Sequence, residues 1–260
     1  MARLARALAA VVLVWALLAY VVLPALWEHH EHNPALATAP YVTRTGDDIP
    51  GDPINVALIG TQTELISAMG AAGWHPADPI TLRSSVGIIE SVLLDRRDPD
   101  APVSNLYLFG RRQDLAFELP VGTSARERHH VRFWRDDDIK SERPVWLGSA
   151  TFDRSVGLSH LTGQVTHHIG PDIDAERDGL LAGLAAAGRL VTTYEVSGIG
   201  PTLNGRNGEG DRYVTDGEIG VGVLRAVGDA ASAPPERLPS PAAVQVKNRL
   251  WAWLRTLFAR

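Results

Sequence analysis

Between Leu106 and Ile169 five short segments alternate apolar and polar residues: Leu106–Phe109, Asp114–Leu119, His130–Trp134, Pro144–Phe152 and Gln164–Ile169. Period two is the repeat of a β-strand, which places successive side chains on opposite faces. A run of such segments buries its apolar side by pairing into a sheet. A short apolar strand over Ile54–Gly60 precedes them, and Leu190–Val196 and Glu218–Val227 close the set. Helical spacing occurs between strands. Thr61 opens a helix that runs to Gly73, with Glu64 as its capping-box partner. Ser84–Leu94 repeats apolar residues at Val86, Ile89, Leu93 and Leu94, and Asp172–Ala187 is a helix with Gly188 as its C-cap. Helices near the ends of a mainly antiparallel set of strands make the expected class α+β.

There is a weak internal echo. Asn55-Val56-Ala57-Leu58-Ile59-Gly60 leads into a helix ending Ala71-Ala72-Gly73, and His167-His168-Ile169-Gly170 leads into one ending Ala186-Ala187-Gly188. Two related β-α halves sharing a sheet would explain it. So would coincidence, since Ala-Ala-Gly is a common helix end.

The two ends differ from the body. Ala7 to Trp27 carry no charge and are mostly Ala, Val and Leu. About twenty residues at ~1.5 Å rise cover roughly the 30 Å hydrocarbon core of a bilayer. Arg3 and Arg6 precede this run, and no Lys or Arg follows until Arg44. The positive-inside rule then puts the N-terminus in the cytoplasm and the main domain outside the cell membrane, as a single-pass protein. Residues 1–28 are the expected transmembrane anchor and 29–53 an extended, proline-rich stalk. A cleaved signal peptide is the rival reading, but its small-residue site, Ala35-Leu36-Ala37, lies too far past the apolar run. At the other end, 229–241 resembles a flexible linker, and 242–260 forms a basic amphipathic helix. Val244, Val246, Leu250, Trp251, Trp253, Leu254, Leu257 and Phe258 fill one arc of its wheel, with Lys247 intruding. An interfacial helix on anionic lipid fits this pattern, and so does a helix docked on the protein's own core or on a partner.

The body, 54–228, is long enough for one domain with a real core. A net charge of −5 argues against nucleic acid as a partner. The chain has no cysteine, which excludes disulfides, thiolate catalysis and iron–sulfur clusters. Nothing in it identifies a cofactor: phosphate-loop, dinucleotide, EF-hand and zincin motifs are all missing. Gly157-Leu158-Ser159-His160-Leu161 falls short of a nucleophile elbow because Leu161 stands where glycine is needed.

The densest polar stretch is Thr162–Asp178, with two imidazoles, four carboxylates and an arginine across a strand, a turn and a helix start. Alternation puts His168 on the face opposite His167 unless a bulge intervenes. It likewise separates His130, Arg132 and Trp134 from His129, Val131 and Phe133. His168, His130, Arg132, Arg112 and Asp114 could then line one polar sheet face, with Asp172, Asp174 and Glu176 over its edge. Imidazole beside carboxylate suits acid–base work or a divalent metal. The candidate catalytic residues are His168, His130, Asp172 and Asp174. Arginine beside a helix N-terminus suits a phosphate head group. The candidate ligand-binding residues are Arg111, Arg112, Asp114, Arg132 and Arg177. A plainer reading makes Asp172 an N-cap, Asp174 and Glu176 first-turn acids, and Arg177 a local helix partner.

Several runs together resemble the LssY-like C-terminal domain family: Gly51–Gly60, Gly73-Trp74, Leu106–Phe117, His129–Trp134, Trp146-Leu147-Gly148, Thr162–Asp178 and Asp211–Gly217. The resemblance covers about Gly51 to Leu224. It brings no activity and no catalytic residue with it. Some members look to be fused to DedA-like or PAP2-like lipid-phosphatase membrane regions, which implies work at the membrane. This chain has neither. The expected role is an accessory or binding domain that meets a lipid head group or a membrane-protein partner. The alternative is a metal- or histidine-dependent hydrolase, of phosphoesters for example.

Overall fold

The computed structural model describes residues 2–17, 42–46, 48–77, 105–121, 127–139, 141–158, 165–201, 203–207, 209–229 and 233–254. Within these, the first half contains α1 (Ala2–Leu17), β1 (Val42–Arg44), β2 (Pro50–Pro53), β3 (Val56–Ile59), α2 (Gln62–Ala71), β4 (His75–Pro76), β5 (Tyr107–Leu108), β6 (Arg111–Arg112) and β7 (Leu115–Pro120). The second half contains β8 (Arg128–Asp136), β9 (Val145–Leu158), β10 (Val165–Ile169), α3 (Ile173–Ala186), β11 (Leu190–Val196), β12 (Asn204–Arg206), β13 (Arg212–Val214), β14 (Ile219–Leu224), β15 (Glu236–Arg237) and α4 (Ala242–Leu254).

Nine strands form one mixed sheet in the order β15-β11-β14-β3-β9-β8-β7-β4, with β10 also on β9. The β14–β3 and β11–β15 pairs are parallel and the other pairs of this sheet are antiparallel. β9 organises the sheet. β8 runs along one of its edges, while β3 and β10 share the other end to end: β3 opposite Val145–Gly148, β10 opposite Asp153–Leu158. Asn55 fills the gap between them. Its side-chain amide accepts from Ala150 N and donates to Ala150 O, both at 2.9 Å, and also reaches Ile173 O at the start of α3. A side chain thus supplies the ladder hydrogen bonds that a strand would otherwise make.

The two faces of the sheet are covered differently. α2 and α3 lie on one, where Leu65, Met69, Leu180 and Leu184 pack against Leu58, Phe117, Phe133 and Trp146. Each large apolar side chain buried here stabilises the fold by about 1.5–3 kcal/mol. Gly148 leaves room for this layer, since a Cβ would stand 2.7 Å from Phe133 and Val56 side-chain atoms. The other face carries a second core of Ala57, Trp134, Leu147 and Val221 against Ile54, Leu106 and Leu108. Leu108 belongs to a small sheet of order β2-β1-β5-β6.

The α+β class and the capping box at Thr61 are as expected. The two strand–Gly–helix units also finish alike. Gly73 (φ +84°) and Gly188 (φ +69°) follow the helices, with Trp74 N on Met69 O and Arg189 N on Leu184 O, the Schellman closure. Both units sit on β9, so the echo has a structural counterpart. Two expected boundaries are corrected. The stalk over 29–53 ends in β1 and β2, because Thr43, Gly51 and Asp52 are buried against the body. The linker over 229–241 includes β15, which pairs with β11 and so extends the sheet.

Among the described residues no helix is long and apolar enough to cross a membrane. α1 ends at Leu17. The remainder of the apolar run, residues 18–27, lies outside the described residues, as do His29–His32, the expected helix over Ser84–Leu94, and Ser159–Leu161.

Candidate functional site

Arg128, His130 and Arg132 alternate along β8 and share one face of the sheet. Opposite them on β9 stand Asp153, Thr151 and Ser149, and opposite His130 on β7 stands Glu118. All seven are buried. Arg128 divides its guanidinium among Glu118 (2.9 Å), Asp153 (3.1 Å) and His167 Nε2 (3.2 Å). Arg132 donates to Asp52 of β2 at 3.3 Å. From there a line of bonds leads outward: Asn207 Nδ2 donates to Asp52 (3.1 Å), Asn207 Oδ1 accepts from Asp211 N (2.9 Å), and Asp211 accepts from Ile169 N (3.1 Å) and meets His168 Nδ1 at 2.9 Å. The loop between β12 and β13 carries Asn207 and Asp211, and so ties β2, β8 and β10 together.

Burial sets the electrostatics of this network. It pushes the Asp52 carboxyl up, opposed by Arg132, and pulls the Arg132 guanidinium down, opposed by Asp52. His130 is held well below the usual imidazole range by burial and by the charges of Arg132 and Arg128, so it is neutral at pH 7. His167 is lowered by burial, with Asp153 opposing. Among the described residues, His130 Nε2, Ser149 Oγ and Thr151 Oγ1 are buried with no hydrogen-bond partner. They occupy neighbouring positions on one sheet face. Buried polar groups are nearly always bonded, so three together mark a place able to accept hydrogen bonds from, or give them to, something else.

His167 and His168 both join this network. They alternate regularly opposite Val156 and Ser155, and the β10–β9 register shifts only beyond His168. Each has its own partner: His167 reaches Arg128 and His168 reaches Asp211.

A second network joins α3, the turn after β13, and α4. Arg177 grips Asp216 with two bonds (2.8 and 3.1 Å), donates to Asp178 (2.8 Å) and Glu218 O (3.0 Å), and lies 3.4 Å from Asp174. Asp174 accepts from the Thr215 hydroxyl (2.6 Å) and from Asp216 N (2.8 Å). Glu218, wholly buried, accepts from Ser197 and from the Lys247 ammonium, which also donates to Asp216 O. Burial lowers the Arg177 pKa, but its bonds to Asp216 and Asp178 outweigh this and raise it. Asp216 is held low: burial pushes it up, and Arg177 more than offsets that. Asp174 is raised to about 6 by burial and by the Asp216 charge, and Glu218 is raised by burial against the pull of Lys247.

The residues singled out in the sequence are therefore dispersed. His130, Arg132 and His168 enter the first network. Asp174 and Arg177 enter the second. Asp172 is the N-cap of α3, accepting from Ala175 N at 3.1 Å. Arg111 pairs with Asp114 and donates to Arg135 O at the far end of β7 and β8 from Arg128. Arg112 is exposed on β6. The expected polar face thus keeps His130 and Arg132 but not Arg112 and Asp114, because the chain turns at Gln113 before β7 begins. Glu118, Arg128 and Asp153 were legible from strand parity. Asp52, Asn207 and Asp211 were not, since they arrive from irregular segments. His129, on the helix side, meets Glu176 at 2.6 Å, and that bond raises its pKa.

A groove of about 900 Å³ runs between α3, β11, β15 and α4 and borders the second network at Asp174, Arg177 and Asp216. Among the described residues no three His, Asp or Glu side chains converge to hold a metal ion.

No curated protein and no solved structure matches this chain. One family model does, over residues 36–219, which takes in both networks except Lys247. On that match the chain belongs to the family described as LssY C-terminus.

Proposed function

We propose that this is a membrane-held, extracytoplasmic accessory or binding domain whose partner is a lipid head group or a membrane protein. One observation carries the reading. Leu4, Leu8, Val11, Val12, Leu13, Val14 and Leu17 of α1 all stand exposed, and the uncharged run continues in sequence to Trp27. Exposed apolar side chains in such number mark a surface that another apolar phase covers. The flanking Arg3 and Arg6 favour a cytoplasmic N-terminus. The test is an alkaline wash of membranes carrying the chain, followed by protease treatment of spheroplasts. The chain stays with the membranes, external protease removes a C-terminal tag, and a tag at Met1 is protected. Recovery in the soluble fraction would reject the anchor, and a protected C-terminal tag would reject the orientation.

A second reading, hydrolysis of a phosphoester or similar bond, is favoured by one arrangement. The carboxylate of Asp211 meets His168, and neutral His130 stands on β8, with the unbonded hydroxyls of Ser149 and Thr151 across from that strand on β9. A carboxylate-oriented imidazole is a general base or acid in many hydrolases. This reading requires a phosphoesterase activity that His168→Ala abolishes while the far-ultraviolet spectrum stays unchanged. An activity indifferent to that change would remove His168 from the chemistry.

A further inference from the structure

α4 has two apolar surfaces that point in different directions. Inward, Val244 is buried, Lys247 bonds Glu218 and Asp216 O, and Gln245 Nε2 donates to Ser240 O at 2.7 Å. Outward, Val246, Leu250 and Trp253 are 54%, 58% and 68% exposed. Their spacing of four and then three residues makes them one stripe along the helix. Arg249 is exposed beside it, and the sequence from Ala242 to Arg260 contains no acid. A helix that only closed a core would be polar on its outer side.

We infer that α4 lies in the interface of an anionic bilayer while still docked on the body. The outer stripe enters the acyl boundary and Arg249 the head-group layer. This rests on the membrane-held reading and adds a second, structured contact to it. The sequence poses lipid binding and docking as rivals for one apolar arc. In the fold the arc is divided, and each part has its own occupant. Lys247 intrudes on the apolar side because it reaches the wholly buried Glu218. A bilayer is the occupant that fits the remaining surface: a tryptophan among aliphatic side chains, a neighbouring cation and no anion match an interface of acyl chains and phosphates. The helix follows residue 219, where the family match ends. Docking also fixes orientation. The side of the body that bears β15 and the 900 Å³ groove is held next to the lipid.

The chain has no cysteine, so single cysteines can be introduced and labelled cleanly. The full chain is reconstituted with vesicles containing phosphatidylglycerol, and an environment-sensitive dye is placed at Val246→Cys, Leu250→Cys or, as a control, Glu142→Cys. Emission shifts to the blue and is quenched by nitroxide-labelled lipid at the first two positions and not at the third. Amide exchange over 215–218 stays as slow as in detergent, since α4 remains docked. Labels at 246 and 250 that stay water-like on a chain that floats with the vesicles overturn the inference and leave the anchor intact. A rise in exchange over 215–218 on adding vesicles overturns the docked half of it. A chain that does not float removes the membrane-held reading, and this inference with it.

Discussion

The two buried ionic networks are built from the same residue types and close in different ways. Around Arg177, donors and acceptors answer one another: Asp216, Asp178 and Glu218 O take up the guanidinium, and Thr215, Ser197 and Lys247 supply the neighbouring acids. Around His130, Arg128 and Arg132 have their carboxylates, but the imidazole Nε2 and two hydroxyls between them are left over. The Arg177 network is a clamp that joins a helix, a turn and the C-terminal helix. The His130 network is an arrangement with spare hydrogen-bonding capacity on a sheet face, where packing alone would have selected apolar residues. Saturation is what a structural ion cluster needs, since removing one partner from a buried set leaves an uncompensated charge. Spare capacity has no such structural use, and His130, Arg132 and His168 are the candidates that fall there.

Four substitutions would break or sharpen this contrast. Arg177→Met should have the largest effect, a loss of about 3–5 kcal/mol in denaturant unfolding, because Asp216 and Asp174 would then face each other without the guanidinium between them. A loss below 1 kcal/mol would show that the cluster is not a clamp. Next comes Lys247→Met, which leaves Glu218 without its cation. It should cost about 2–3 kcal/mol at neutral pH, and less as acid neutralises Glu218. Limited proteolysis should then cut first within α4, and an unchanged cleavage pattern would argue against docking through Lys247.

His130→Gln tests the network around His130 through pH. The folded imidazole titrates far below its unfolded value near 6.5, so the unfolded chain binds the extra proton. The stability of the wild-type protein is therefore complete above that value and declines as pH falls below it. The variant should lack this component, by up to about 1.4 kcal/mol for each pH unit below 6.5. Parallel pH profiles would contradict a neutral buried His130. Ser149→Ala should have the smallest effect. Removing a buried hydroxyl that has no partner should leave stability unchanged or raise it by up to about 1 kcal/mol. A clear loss would mean that the hydroxyl has a partner in solution.

Much of the framework could be read from the chain before its fold was known, and the reason is local. Leu190–Val196 follows strict strand chemistry, Thr61 with Glu64 forms a capping box, and Gly188 ends α3 with positive φ. The grouping of His130 and Arg132 on one face, with His129 and Phe133 on the other, also followed from parity alone. What escaped was non-local. His167 and His168 meet Arg128 and Asp211 from distant segments, and nothing in Val165–Ile169 announces either partner. Asp52 and Asp211 reach the network from a proline-rich segment and a glycine-rich loop, which carry no periodic pattern. Asp172 and Asp174, two residues apart, separate because one caps α3 and the other turns inward to Thr215. Lys247 could be recognised as an exception to amphipathicity, but its acid, Glu218, sits 29 residues earlier in the chain.

Asn55 has a consequence for how the sheet comes apart. Because a side chain, not a strand, joins β3 to β10 along β9, the edge carries a seam. Opening of β10 from Asp153–Leu158 can stop at Ala150, since the β3 ladder over Val145–Gly148 and its amide splice stay paired. The protein then has two cooperative units that share one strand. His168 belongs to the unit that can yield first, and Arg132 and His130 sit beside the one that holds.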